Sequence, residues 1–125
     1  MGVLMKVTGL FHNAQATVQV PAGNAVFLKG QSGTEMFGIV EGHVQLQTET
    51  KVIASLGPDD VFGEMALIDN SPRMATAVAV TDAVLAVIDR QKFLFLVHET
   101  PMFALSVMSA MADRFRAQAG PPVGS

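Results

Sequence analysis

Between residues 17 and 88 the chain is a succession of short apolar-rich runs cut at near-regular intervals by turn residues, and this rhythm constrains the fold more than any other feature. The runs are 17–20 (TVQV), 25–28 (AVFL), 36–41 (MFGIVE), 43–47 (HVQLQ), 51–56 (KVIASL), 74–80 (MATAVAV) and 83–88 (AVLAVI). The separators are Pro21-Ala22-Gly23-Asn24, Gly30 to Gly33, Gly42, Thr48-Glu49-Thr50, Gly57-Pro58-Asp59-Asp60 and Thr81-Asp82. Val18 and Val20, like Val44 and Leu46, alternate with polar residues, as half-buried strands do. The spacing predicts a β-sandwich, barrel or roll with these apolar residues as its core.

Helical text is confined to the end. Residues 89–97 open on Asp89 as an N-cap, and Pro101 suits the first turn of a second helix that runs to about Gln118 and stops at Gly120-Pro121-Pro122. Phe103, Leu105, Val107, Met108, Met111, Ala112 and Phe115 occupy more than one face of that helix, which predicts burial on more than one side. The roll covers one side. For the other, Leu105, Met108, Ala112 and Phe115 have coiled-coil-like spacing and predict a homodimer seam, with packing inside one monomer as the alternative.

The chemistry concentrates in 61–80, VFGEMALIDNSPRMATAVAV. Gly63 lets the backbone approach a ligand, and the residues after it can start a short helix whose unpaired N–H groups attract an anion. Nine residues after Glu64 comes Arg73, reached through the turn-rich Asp69-Asn70-Ser71-Pro72, which can bring both side chains into one space. A guanidinium offers a fork of donors to phosphate oxygens, whereas a carboxylate accepts hydrogen bonds from sugar hydroxyls. One anion plus one diol is a nucleotide. An isolated Glu and Arg would more often form a surface ion pair of little consequence.

The string FGEMALIDNSPRMATA resembles the phosphate-binding cassette of cyclic nucleotide-binding domains, the family of catabolite activator proteins, protein kinase A regulatory subunits and cyclic nucleotide-gated channels. Lys29 to Phe37 and Val40 to Val44 are similar to that family's upstream turn, strand and glycine turn, with Gly30, Gly33 and Gly42 in matching places. The resemblance covers about residues 18–115. It implies a mainly β fold with flanking α-helices: a double-stranded β-helix, or jelly-roll-like β-roll, over about 17–88, followed by two C-terminal helices over about 90–118. Residues 1–125 then form a single cyclic nucleotide-binding domain with no DNA-binding domain. It further implies that Arg73 holds a cyclic phosphate and Glu64 accepts the ribose 2′-hydroxyl. Backbone amides of Gly63, Met65, Ala66 and Met74 line the pocket beside Ala75, and Ile53 and Leu56 wall the base. In the family the residue after the cassette Arg is often Ser or Thr, whose hydroxyl helps the phosphate and, as Thr, accompanies guanine preference, while the cyclic AMP sites of kinase regulatory subunits manage without one; Met74 stands there, so the expected ligand is cyclic AMP rather than cyclic GMP. Binding is expected to reposition the C-terminal helices, where Arg114, Arg116 and Gln118 sit near the place of a base lid that the Gly-Pro-Pro stop cuts short.

Other function classes find less support. A formal charge of -3 with no Lys or Arg run gives no instrument for nucleic acid. Zero cysteines exclude disulfides, Cys-ligated clusters and thiolate zinc sites, in keeping with a reducing compartment. His12, His43 and His98 are scattered, without the clustered ligands of a cupin-type metal enzyme, so no metal site is expected. No nucleophile, base and reacting centre can be named, so no enzyme is expected. The segment 1–6 has Lys6 where a myristoylation signal wants Ser or Thr, and no signal peptide or membrane span is evident, which predicts a cytoplasmic protein. The open alternatives are a degenerate roll used only for contact with another protein and the effector half of a transcription regulator. The downstream partner is not legible.

Overall fold

The computed structural model describes residues 9–12 and 14–119. The readings of 1–6 and of the Gly120-Pro121-Pro122 stop lie outside the described residues. Among the described residues eight strands and three helices follow in the order β1 (Thr17–Val20), β2 (Ala25–Phe27), β3 (Glu35–Glu41), β4 (Val44–Gln47), β5 (Val52–Leu56), β6 (Val61–Phe62), α1 (Met65–Ile68), β7 (Thr76–Ala79), β8 (Ala83–Asp89), α2 (Arg90–Glu99) and α3 (Met102–Ala119). The strands build two four-stranded sheets, ordered β1-β8-β3-β6 and β2-β7-β4-β5, with every pairing antiparallel. Each run of apolar residues became a strand: 25–28, 43–47 and 51–56 lose one residue, 74–80 loses three, and 36–41 and 83–88 each gain one. The exception is β6, two buried residues that carry no separator of their own.

The pairings nest about the centre of the roll. β4 and β5 form the inner hairpin through Val44↔Leu56, β4 and β2 flank β7, and β1 meets β8 outermost through Thr17↔Ala86. Inward-facing Ile39, Val44, Phe62, Ala77, Ala79 and Leu85 fill the space between the sheets. A register shift in β5 also turns Ile53 inward. Gly42, at φ 89, makes the β3–β4 turn, and a Cβ there would lie 2.3 Å from the Asp82 carbonyl oxygen.

A second apolar cluster lies under the helices. Met36, Val61, Leu67 and Ile88 meet Leu96 of α2 and Phe103 and Val107 of α3, with Phe11 edge-on to Phe103 at 6.3 Å. The Asp89 carboxylate caps α2 by accepting from Lys92 N at 2.8 Å, the cap the sequence predicts. α3 is apolar on more faces than one chain buries. Phe103 and Val107 are buried, while Leu105, Met108 and Phe115 of the expected seam remain 39%, 60% and 72% exposed. Among the described residues no single helix is long and apolar enough to cross a membrane.

Candidate functional site

β6 delivers the chain to Gly63, whose φ of 82 suits glycine and turns the backbone into the four-residue helix α1. After α1 the chain reverses through Asp69 and Asn70, the latter in the left-handed region at φ 58, and the Asp69 carboxylate accepts from Ser71 N at 3.0 Å. The reversal brings Arg73 back beside Glu64. The β2–β3 loop clamps this return: Arg73 N donates to the Gln31 carbonyl at 2.8 Å and Gly30 N to the Arg73 carbonyl at 2.7 Å. Both side chains are buried, Glu64 at 5% exposure and Arg73 at 8%, the two buried charged residues among those described.

The Arg73 guanidinium lies 4.2 Å above the centre of the Phe27 ring and donates from Nη1 to the Gly63 carbonyl at 3.1 Å. Its Nε is buried with no hydrogen-bond partner, and among the described residues no carboxylate lies within 4.0 Å to pair with it. Burial lowers its pKa, opposed by the charges of Glu35 and Glu64. Gly33 leaves the guanidinium its space: a Cβ there would lie 2.3 Å from Nη2, so a side chain at 33 would push the Arg73 head group aside.

Glu64 has a partner that sequence reasoning did not assign. Arg114 of α3 donates from Nη1 to Glu64 Oε1 at 2.5 Å and from Nη2 to the Val61 carbonyl. Burial pushes the Glu64 carboxyl above its ordinary value, against the pull of Arg114 and of the backbone amides of Glu64 and Met65. A carboxylate has lone pairs for more than one donor, so Arg114 leaves acceptor capacity on Glu64. Arg116 instead pairs with Asp113 at 3.0 Å on the surface. The C-terminal end of α3 is held by Lys51, whose Nζ donates to the Ala117 carbonyl at 2.6 Å.

Together these elements enclose a cavity of about 370 Å³. Gly63, Glu64, Met65, Ala66, Arg73, Met74 and Ala75 all line it, so the structure brings together every residue of the predicted set. Ile53 also lines it, whereas Leu56 faces the core between the sheets. Phe27 and Leu46 from the roll and Met111, Ala112, Arg114, Phe115 and Gln118 from α3 complete the walls. α3 therefore reaches the cavity within its own length. Arg114 and Gln118, which the sequence put near a lid, stand on its wall; Phe27 carried no sequence signal beyond its strand. The cavity is mostly apolar, with the Arg73 guanidinium, the Glu64 carboxylate and its partner Arg114, and Gln118 as its polar side chains, an arrangement suited to a small flat molecule with one anionic group and one hydroxyl-bearing group.

Residues 17–100 match the family model for the cyclic nucleotide-binding domain. The chain is 34% identical over 101 residues to the cyclic AMP receptor protein of Thermus thermophilus, covering 77% of this chain and 47% of that protein. It is 38% identical over 103 residues to a cyclic nucleotide-gated potassium channel of Rhizobium etli, covering 82% and 28%. Among solved structures, the Thermus thermophilus catabolite activator protein aligns at a TM-score of 0.70 and 31% identity, over 83% of this chain and 51% of that one. PfPKA-R with cAMP bound shares the fold at a TM-score of 0.73 and 24% identity, over 83% and 36%. The chain thus spans about half or less of the length of these relatives.

Proposed function

The chain belongs to the cyclic nucleotide-binding domain family, and from that membership we propose that it is a regulatory domain whose cavity takes a cyclic nucleotide, cyclic AMP in preference to cyclic GMP. One observation carries this reading above the others: Arg73 is buried against the cavity with an unpartnered Nε and, among the described residues, no paired carboxylate. A desolvated cation in that state is stabilised by an anion, and a cyclic phosphate supplies a single negative charge. Glu64, with acceptor capacity beside its bond to Arg114, would take the ribose 2′-hydroxyl. Amides of Gly63, Met65 and Ala66 border the phosphate end, and Ile53, Met74 and Ala75 the base. The relatives named for cyclic AMP support that ligand, as does Met74 in place of a hydroxyl residue.

The roll and two C-terminal helices act as one sensor unit in this reading. Ligand contacts favour one position of α3 through Arg114, Phe115 and Gln118, and the population of helix positions shifts accordingly. The exposed Leu105, Met108 and Phe115 form the seam of a homodimer. The unit carries no catalysis of its own, acts in the cytoplasm and passes its signal to a downstream protein. Because the match spans about half of the Thermus receptor, the same unit can serve as the effector half of a longer transcription regulator.

Calorimetric titration with cyclic AMP and cyclic GMP tests the reading. Saturable binding of both, tighter for cyclic AMP, is expected. No heat with either, from folded protein free of bound ligand, would overturn it in favour of a roll that serves only contact with another protein.

A further inference from the structure

Arg73 is unusual in what surrounds it. A buried guanidinium is ordinarily balanced by a carboxylate, since an uncompensated charge in a low-dielectric interior is costly. Here the face of Phe27 stands 4.2 Å below the cation, and Phe37 is next nearest at 5.8 Å. Aromatic rings attract cations through their quadrupole, more strongly where water is excluded. The Phe27 ring is itself fixed, packed 6.1 Å from Phe37 and 5.9 Å from Phe62, which stack on one another at 5.4 Å. Gly33 and Gly63 give the guanidinium its room: Cβ atoms there would lie 2.3 Å and 2.9 Å from its nitrogens.

We propose that Phe27 is the positioning residue for Arg73, its ring face holding the guanidinium at the cavity wall so that the charge stays available to an anionic ligand. A carboxylate in the same place would hold Arg73 equally well, but an incoming phosphate would then have to displace it. With a neutral ring there, the phosphate has no ion-paired carboxylate to displace, although the charges of Glu35 and Glu64 act on the cation from beyond 4.0 Å. The cluster of three rings is therefore part of the anion site although no ring donates a hydrogen bond to it. The effect on affinity rests on the cyclic nucleotide reading above; the seating of Arg73 does not.

The test has two arms. In ligand-free protein, NMR of the Arg73 side chain should show its δ and ε protons shifted upfield by the Phe27 ring current, and Phe27→Leu should abolish the shift. Calorimetry with cyclic AMP should show about tenfold weaker binding for Phe27→Leu. Replacing Phe27 by mono-, di- and trifluorophenylalanine, which drains the ring face while keeping its shape, should weaken binding stepwise. An unshifted Arg73, or one affinity across the fluorinated series, would overturn the proposal and leave Phe27 as core packing. A clear ring-current shift in protein that binds neither cyclic nucleotide would support the seating of Arg73 and refute the function instead. The fluorinated variants preserve packing and keep the test decisive should Phe27→Leu fail to fold.

Discussion

Arg114 and Glu64 are fifty residues apart in the chain and 2.5 Å apart in the fold, one in the last helix and the other at the mouth of the smallest. Their side chains are 13% and 6% exposed, so the contact is largely out of water. It joins the cavity floor to the element that closes over it.

Replacing Arg114 with Met should cost about 3 kcal/mol of stability, because it leaves the Glu64 carboxylate buried and unpaired. Adding Glu64→Gln should recover part of that loss, since the stranded charge is gone. Chemical denaturation of the two variants checks this. A double variant less stable than Arg114→Met alone would contradict the pairing.

Arg73→Ala should weaken cyclic AMP binding by about 3 kcal/mol or more, roughly a hundredfold, through loss of charge-assisted bonds to the phosphate. Arg73→Lys should rescue only part, because a point charge cannot reproduce the guanidinium fork. An unchanged Kd for the Ala variant removes the assigned phosphate contact.

Glu64→Gln keeps an acceptor and loses the charge, so its binding loss should be smaller, about 1 to 2 kcal/mol. 2′-Deoxy cyclic AMP should bind the parent weakly and lose little more in the variant. Fully additive losses in that cycle would show that Glu64 and the 2′-hydroxyl do not meet.

The pH dependence follows from Glu64 as well. Burial raises its carboxyl above the ordinary value of 4.5, so the folded state binds this proton more tightly than the unfolded chain does. That contribution to stability is complete below 4.5 and is lost as pH climbs through the raised value of the folded state. Urea denaturation across a pH series should therefore show parent stability falling more steeply above the ordinary carboxylate range than that of Glu64→Gln. Identical slopes would mean the proton is not shared unequally between the two states.

Met108→Glu places a charge in the exposed stripe of α3 and should give monomers that still bind nucleotide, read by sedimentation and calorimetry together. A parent already monomeric with and without ligand would remove the seam and leave the cavity untouched.

Much of the fold was readable because period-two alternation and turn residues are local signals. Thr17–Val20 and the Asp89 cap stand where the pattern put them. β6 escaped because two residues are too few to alternate, and Val61 and Phe62 are both buried. At the site, Glu64 and Arg73 could be paired because a short turn joins them, and the surrounding cassette is a dense local pattern. Arg114 reaching Glu64, Lys51 reaching Ala117 and Phe27 lying under Arg73 span 50, 66 and 46 residues, distances at which sequence spacing carries no geometry. Gly33 stood out as a turn residue, but its closeness to a guanidinium exists only after folding.

Because the strand pairs nest, chain closure has an order. The β4–β5 hairpin closes a short loop, from Gln47 to Val52, whereas β1 meeting β8 closes one of more than sixty residues, Val20 to Ala83. The entropy of loop closure rises with length, and contacts of long range are slow to form. Loop-closure cost therefore rises from the middle of the chain outward, and residues 61–73 form the bight between β5 and β7, two strands joined through β4. The clasp of Arg114 waits for the last helix to dock. On loop length alone, the cavity residues come together once β2 meets β7 and β3 meets β6, and α3 adds its wall last.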